Sequence, residues 1–243
     1  MVGRRLALAL LLLLGAAPAA AHEPIVLDAR RATPGLRLEL IELPPATTLA
    51  RVGYRLRATG LPRGLVFDVW AKDFGHTFHE VAAGFRMDGS GALVSSEPDG
   101  AARSRRLDEM VFEPGPSPQG AVWEVALVSA DRTVSAFARV IPRPITARDG
   151  PCTIVLELVS RRGDRFLASG AGFAPGDDVT IESGHSGRVM QKRQRVSADG
   201  RLPPDVIAHA ATGTVRNARY TVKGRSCEVA VEYTWGEATL SRH

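Results

Sequence analysis

Gly170-Ala-Gly-Phe-Ala-Pro-Gly-Asp-Asp-Val-Thr-Ile181 is the segment that most constrains the architecture of the chain. It reads as a strand end, a turn and a second strand. Pro175 presets the backbone for the turn, and Gly176 accepts the angles that other residues resist. Val179 and Ile181 then share one face of the new strand, because side chains alternate along an extended chain. A shorter relative, Gly60-Leu-Pro-Arg-Gly-Leu-Val-Phe67, stands about one domain earlier.

Outward from these two stretches, short alternating segments dominate. Leu36, Leu38 and Leu40 alternate with Arg37 and Glu39, and Tyr54, Leu56 and Ala58 with Arg55 and Arg57. Leu65, Phe67 and Val69 share a face, as do Trp123, Val125 and Leu127, then Val134, Ala136 and Ala138. Ile154, Leu156 and Leu158 form another row. The longest runs from Cys227 through Val229, Val231 and Tyr233 to Trp235, against Glu228, Ala230, Glu232 and Thr234. A period of two predicts strands with one wet face each. Glycines and prolines fall mainly between the segments, as hairpin punctuation. Helical periodicity is weak; Ala101–Met110 could hold a turn or two before Pro114 and Pro116. Many short strands with Gly/Pro turns predict an all-β sandwich.

The two halves also compare with one another. Gly60-Leu-Pro-Arg-Gly aligns with Gly172-Phe-Ala-Pro-Gly, and Met87-Asp-Gly-Ser-Gly with Ala198-Asp-Gly-Arg, at nearly equal offsets. Each half then ends in a hairpin, Trp123–Val140 and Arg219–Trp235. Matched spacing of landmarks predicts a duplicated module. Pro142-Arg-Pro144 is the natural joint, since proline fixes the backbone and removes donors. The expected domains are 22–147 and 148–243.

Gly-x-Gly-Phe-x-Pro-Gly-Asp-x-Val-Thr-Ile, with an Asp-Gly about twenty residues on, resembles bacterial immunoglobulin-like modules of the IPT/TIG-like group. The resemblance implies two tandem immunoglobulin-like β-sandwich domains, and it covers the second half more fully than the first. It speaks for fold and not for activity, because such modules host many roles. In antibody-type domains a core Trp lies between the two cysteines; here Trp235 follows the second.

The first 21 residues read as a cleaved signal peptide. Arg4 and Arg5 precede the apolar Leu6–Leu14, and Ala19-Ala-Ala21 fits a small-residue cleavage site. The apolar run falls short of the roughly 20 residues that span a bilayer. The reading places the mature protein in the periplasm or outside the cell, with no transmembrane segment after cleavage. Without Arg4 and Arg5 the net charge of +5 falls to +3. That charge is spread singly, which disfavours a nucleic-acid partner. The densest basic stretch is Arg188 to Arg195, read as a solvated strand. Cys152 and Cys227 are the chain's two cysteines, and in an oxidising compartment they pair.

Candidate chemistry centres on Asp73-Phe-Gly-His76-Thr-Phe-His79-Glu80. His76 and His79 have a spacing that can place two imidazoles on one copper or zinc ion. Cleavage after Ala21 would expose the amine and imidazole of His22, an arrangement that resembles the copper brace of some secreted oxidases and copper carriers. Ser183-Gly-His-Ser-Gly187 lacks the nucleophile-elbow pattern, and Asp177-Asp178 lacks a calcium loop. Trp70, on the opposite parity to Phe67, is a candidate platform for a sugar ring. The leading expectation is a non-catalytic binding or assembly protein with a protein or cell-envelope partner and no cofactor. A copper or zinc protein using His76, His79 and His22 is the second expectation. A carbohydrate-binding accessory module using Trp70 is the third.

Overall fold

The computed structural model describes residues 27–44, 52–95, 104–185, 188–209 and 217–240. The expected signal peptide and His22 lie outside the described residues. The alternating segments are realised as strands throughout, and the chain is all-β. In order they are β1 (Arg37–Glu42), β2 (Tyr54–Thr59), β3 (Val66–Lys72), β4 (His79–Met87), β5 (Leu93–Ser95), β6 (Arg105–Arg106), β7 (Trp123–Ser129) and β8 (Ser135–Val140). Then follow β9 (Ile145–Asp149), β10 (Cys152–Leu158), β11 (Arg165–Ala171), β12 (Asp178–His185), β13 (Arg188–Arg195), β14 (Leu202–Ala208), β15 (Asn217–Lys223) and β16 (Glu228–Thr234). Helix among the described residues is limited to short 3-10 turns, one of them at Leu107–Glu109. None is long and apolar enough to cross a membrane.

Strands β1 to β8 close over one core. A six-stranded sheet in the order β6-β5-β4-β3-β7-β8 faces the hairpin β1-β2. Phe67 and Val69 from β3, Val125 and Leu127 from β7, and Tyr54 and Leu56 from β2 fill the space between. Strands β9 to β16 make a four-on-four sandwich, β14-β11-β10-β9 over β13-β12-β15-β16. Its core includes Ile154, Leu156, Phe166, Ile181 and Trp235. Each such side chain contributes about 1.5–3 kcal/mol by leaving water. The two described cores share no residue. The chain leaves the first after Val140 and enters the second at Ile145. The boundary expected at 147/148 therefore falls inside β9, whose residues pair with β10.

The second core carries a disulfide between Cys152, at the start of β10, and Cys227, in the β15–β16 turn, with Cα atoms 6.4 Å apart. The same turn is held from the other side. Asp177 is buried and accepts hydrogen bonds from the Arg225 backbone N–H (2.9 Å) and from its Nε (2.7 Å). These bonds hold the Asp177 carboxyl below the usual carboxylate range. Asp177 is thus a clamp between turns, while Asp178 faces solvent.

The halves are built alike. Order β4-β3-β7-β8 in the first corresponds to β13-β12-β15-β16 in the second, and β1-β2 to β10-β11. Gly60 and Gly172 both have positive φ, +78° and +83°. A Cβ on Gly60 would lie 2.4 Å from the carbonyl oxygen of Gly35, and one on Gly172 would lie 2.0 Å from that of Pro151. The same backbone crossing, tolerated only by glycine, therefore occurs in both. The second landmark needs a correction. In the first half Asp88 N–H donates to Ala92 O and Gly91 N–H to Asp88 O; in the second, Ser197 N–H donates to Arg201 O and Gly200 N–H to Ser197 O. Asp88 accordingly matches Ser197, not Asp199. The repeated Asp-Gly dipeptides sit two residues out of register with each other.

One strand differs between the halves. After the shared turn β5 stays with its own sheet and pairs with β4, whereas β14 crosses to pair with β11. At the crossing Leu202 lies opposite Gly170, where a Cβ would come within 2.7 Å of Leu202 Cδ1. Ala58 holds the matching place in the first half, opposite Leu38 as Gly170 is opposite Ile154. The bare backbone at Gly170 makes room for the crossed strand.

Candidate binding face on the first module

In β3, Phe67, Val69 and Ala71 point into the core, so Asp68, Trp70 and Lys72 occupy the outer face. Residues paired across antiparallel strands share a face. Trp70 pairs with Ala126 of β7, and Ala126 with Phe137 of β8. One row across three strands thus reads Trp70, Ala126, Phe137. Ala126 is fully buried although it lies on the outer side, and neighbouring Val128 is nearly so. Trp70 and Phe137 are half-buried.

The loop before β4 folds toward this row. Phe78 meets Phe137 edge-on, with ring centroids 6.2 Å apart and planes at 69°. Lys72 Nζ stands 5.5 Å from the Phe78 centroid, within reach of a cation–π attraction of about 0.5–1 kcal/mol. The next row, Lys72, Glu124, Arg139, is charged. Lys72 pairs with Glu124, and Arg139 reaches Glu157 of β10 at 2.5 Å. The aromatic row therefore borders a charged groove of about 370 Å³ between the two cores. Leu158 N–H donates to Gly120 O at 2.8 Å, and Phe74 packs against the second core.

The expected site residues fall as follows. Trp70 lies in the aromatic row. His76 and His79 are both exposed, His76 in the turn after β3 and His79 opening β4. Asp73 is turned elsewhere, accepting a hydrogen bond from Gly115 N–H at 3.1 Å. Glu80 is exposed and paired with Trp70. Among the described residues no group of three or more His, Cys, Asp or Glu is placed to hold a metal. Phe78 and Phe137 belong to no chemical motif in the sequence. The available signal was parity: Phe137 alternates with Ala136 and Ala138, so an aromatic was due on the wet side of its strand.

The matching face of the second module has different chemistry. Counting from the shared glycine turn, Trp70 corresponds to Glu182, Ala126 to Thr221 and Phe137 to Ala230. Glu182 takes Lys223 at 3.1 Å, and Arg219 lies 3.3 Å from Glu232. That sheet presents an ion-paired, solvated surface.

Comparison of the chain with protein-family models gives no match, and comparison with curated proteins gives none either.

Proposed function

We propose that the protein is an exported, non-catalytic binding or assembly protein of the periplasm or cell surface. The aromatic row of Trp70, Phe137 and Phe78 is the surface that meets its partner, a protein or another component of the cell envelope. The observation that carries this reading is the contrast between matched faces. A solvated ladder of ion pairs suffices to finish the second module, so the aromatics on the first are not needed to close the fold. Aromatic side chains ringed by charge are the usual make-up of a recognition patch. The leader reading of residues 1–21 supports export, and so does the Cys152–Cys227 disulfide, which persists in oxidising compartments. The strand orders accord with the resemblance to immunoglobulin-like modules.

A second reading has its own observation. Trp70 lies outward among Asp68, Lys72 and Glu80, the mix of ring and polar groups that a sugar platform uses. One experiment serves both. A photo-crosslinking residue is placed at 137 or at the matching position 230, and the full chain is expressed in its own envelope. Position 137 is expected to yield a defined adduct that Trp70→Ala abolishes, with none from 230. Equal labelling from both positions would overturn the choice of face. Glycan adducts in place of protein adducts would select the sugar-binding reading.

A further inference from the structure

We infer that β13 is a docking edge for an extended acidic polypeptide segment, which adds to the second sandwich as a fifth strand of its outer sheet. This stands on a different surface from the aromatic row and does not depend on it.

The crossing of β14 creates the edge. In the first module β5 pairs with the end of β4. In the second, β14 has moved to the other sheet, and no described strand pairs with the outer side of β13. Among the described residues two of its side chains reach β14, Gln194 Nε2 donating to Pro203 O at 2.9 Å and Lys192 pairing with Asp205. Seven of its eight residues are exposed, on both faces. An unpaired strand edge is a template for another chain, and folded proteins usually blunt it. The other described edges are blunted, that of β2 by the Tyr54–Phe112 bridge and the Leu107–Glu109 turn. β14 carries Pro203 and Pro204, β6 has two residues, and β9 and β16 abut each other. β8 lies against β1, and the uncovered part of β4 is broken by register shifts. β13 is eight residues long, pairs with β12 without a shift along its length, and contains no proline.

Its charge selects the partner. β13 carries Arg188, Lys192, Arg193 and Arg195 and no acid. Lys192 is held by Asp205, which also accepts the Tyr220 hydroxyl at 3.1 Å. Arg188, Arg193 and Arg195 make no ion pair with described residues. Arg193 and Arg195 stand on the same face, two residues apart, the period at which alternate side chains of an added strand would meet them. Edge-to-edge pairing of two copies would bring the same four cations together and is disfavoured. An incoming strand with acids at alternate positions satisfies both the backbone and the arginines. Val189 and Met190, both exposed at the other end, offer it apolar contacts.

The test uses the full mature chain and three labelled eight-residue peptides of alternating Val with Glu, Gln or Lys. The Glu peptide is expected to bind, at least tenfold more tightly than the Gln peptide, with the Lys peptide silent. It should also slow amide exchange along 188–195. Arg193→Glu/Arg195→Glu, at exposed positions, should lose the Glu peptide and gain the Lys peptide. Three results would each overturn the inference: no binding of the Glu peptide, binding indifferent to the charge reversal, or binding that leaves the β13 amides unprotected. Vesicles of phosphatidylserine form a further arm. Binding to them with no peptide binding would assign the edge to an anionic membrane instead.

Discussion

Trp70 and Glu182 stand at the same place in the two modules, each one residue after a matched core position, and they have opposite chemistry. Their neighbours one residue away do not diverge in this way: Val69 and Ile181 are both apolar and both buried. Different constraints act at the two kinds of position. Core positions and turn glycines answer to packing and to backbone approach, so both copies of the module keep them. The outer face answers only to what it meets, water and ion pairs in one copy and aromatic neighbours in the other. The crossed strand extends the lesson to topology. A Cβ at position 58 and none at position 170 accompany two choices of partner for the same strand, and the second choice leaves β13 uncovered.

The largest effect is expected from removing what only one module has. Cys152→Ser/Cys227→Ser is expected to destabilise β9–β16 by about 4 kcal/mol, from the loop entropy returned to the unfolded chain. Hydrogen exchange should rise across β10 to β16 and stay unchanged in β3 and β7. Equal loss in both would mean that the two cores do not melt separately.

A smaller effect should be common to both modules. Gly60→Ala and Gly172→Ala each force a Cβ onto a carbonyl oxygen at positive φ, and each is expected to cost more than about 2 kcal/mol. Gly64→Ala and Gly176→Ala also have positive φ but meet nothing within 4 Å, so about 1–2 kcal/mol is expected. Denaturant midpoints of the four variants check the pairing. Tolerance at 60 together with failure at 172 would dissolve the proposed equivalence.

The smallest effect concerns a single hydroxyl. Ser183 occupies the place of Ala71, and its buried hydroxyl has no hydrogen-bond partner among the described residues. Ser183→Ala is expected to stabilise the protein by about 1 kcal/mol, because an unmet hydroxyl is costly to bury. Thermal melting reads it directly, and a loss of stability would show that the hydroxyl has work the first module lacks.

Much of this was legible in the residues. Alternation in Cys227 to Trp235 needed no context, because a period of two on a half-buried strand is a local property. The Pro175-Gly176 turn and the single possible disulfide were equally local. The second landmark lies two residues from where the Asp-Gly pairs suggest, since Asp-Gly is a generic turn dipeptide and only the hydrogen bonds show which residue opens each turn. His76 and His79 were adjacent in sequence, but adjacency did not bring a third ligand to them among the described residues.

The β class, the two apolar interiors, the proline joint and the sulfur staple are all local properties of the chain. All of these follow from side-chain polarity, proline and glycine backbone limits, and cysteine number. Strand pairing, by contrast, puts Trp70 and Phe137, 67 residues apart, in one row across Ala126 and takes β14 away from the edge of β13. Strand order is a long-range choice among sheet partners of nearly equal backbone energy. It is settled by which side chains can pack where strands meet, and no local pattern records it.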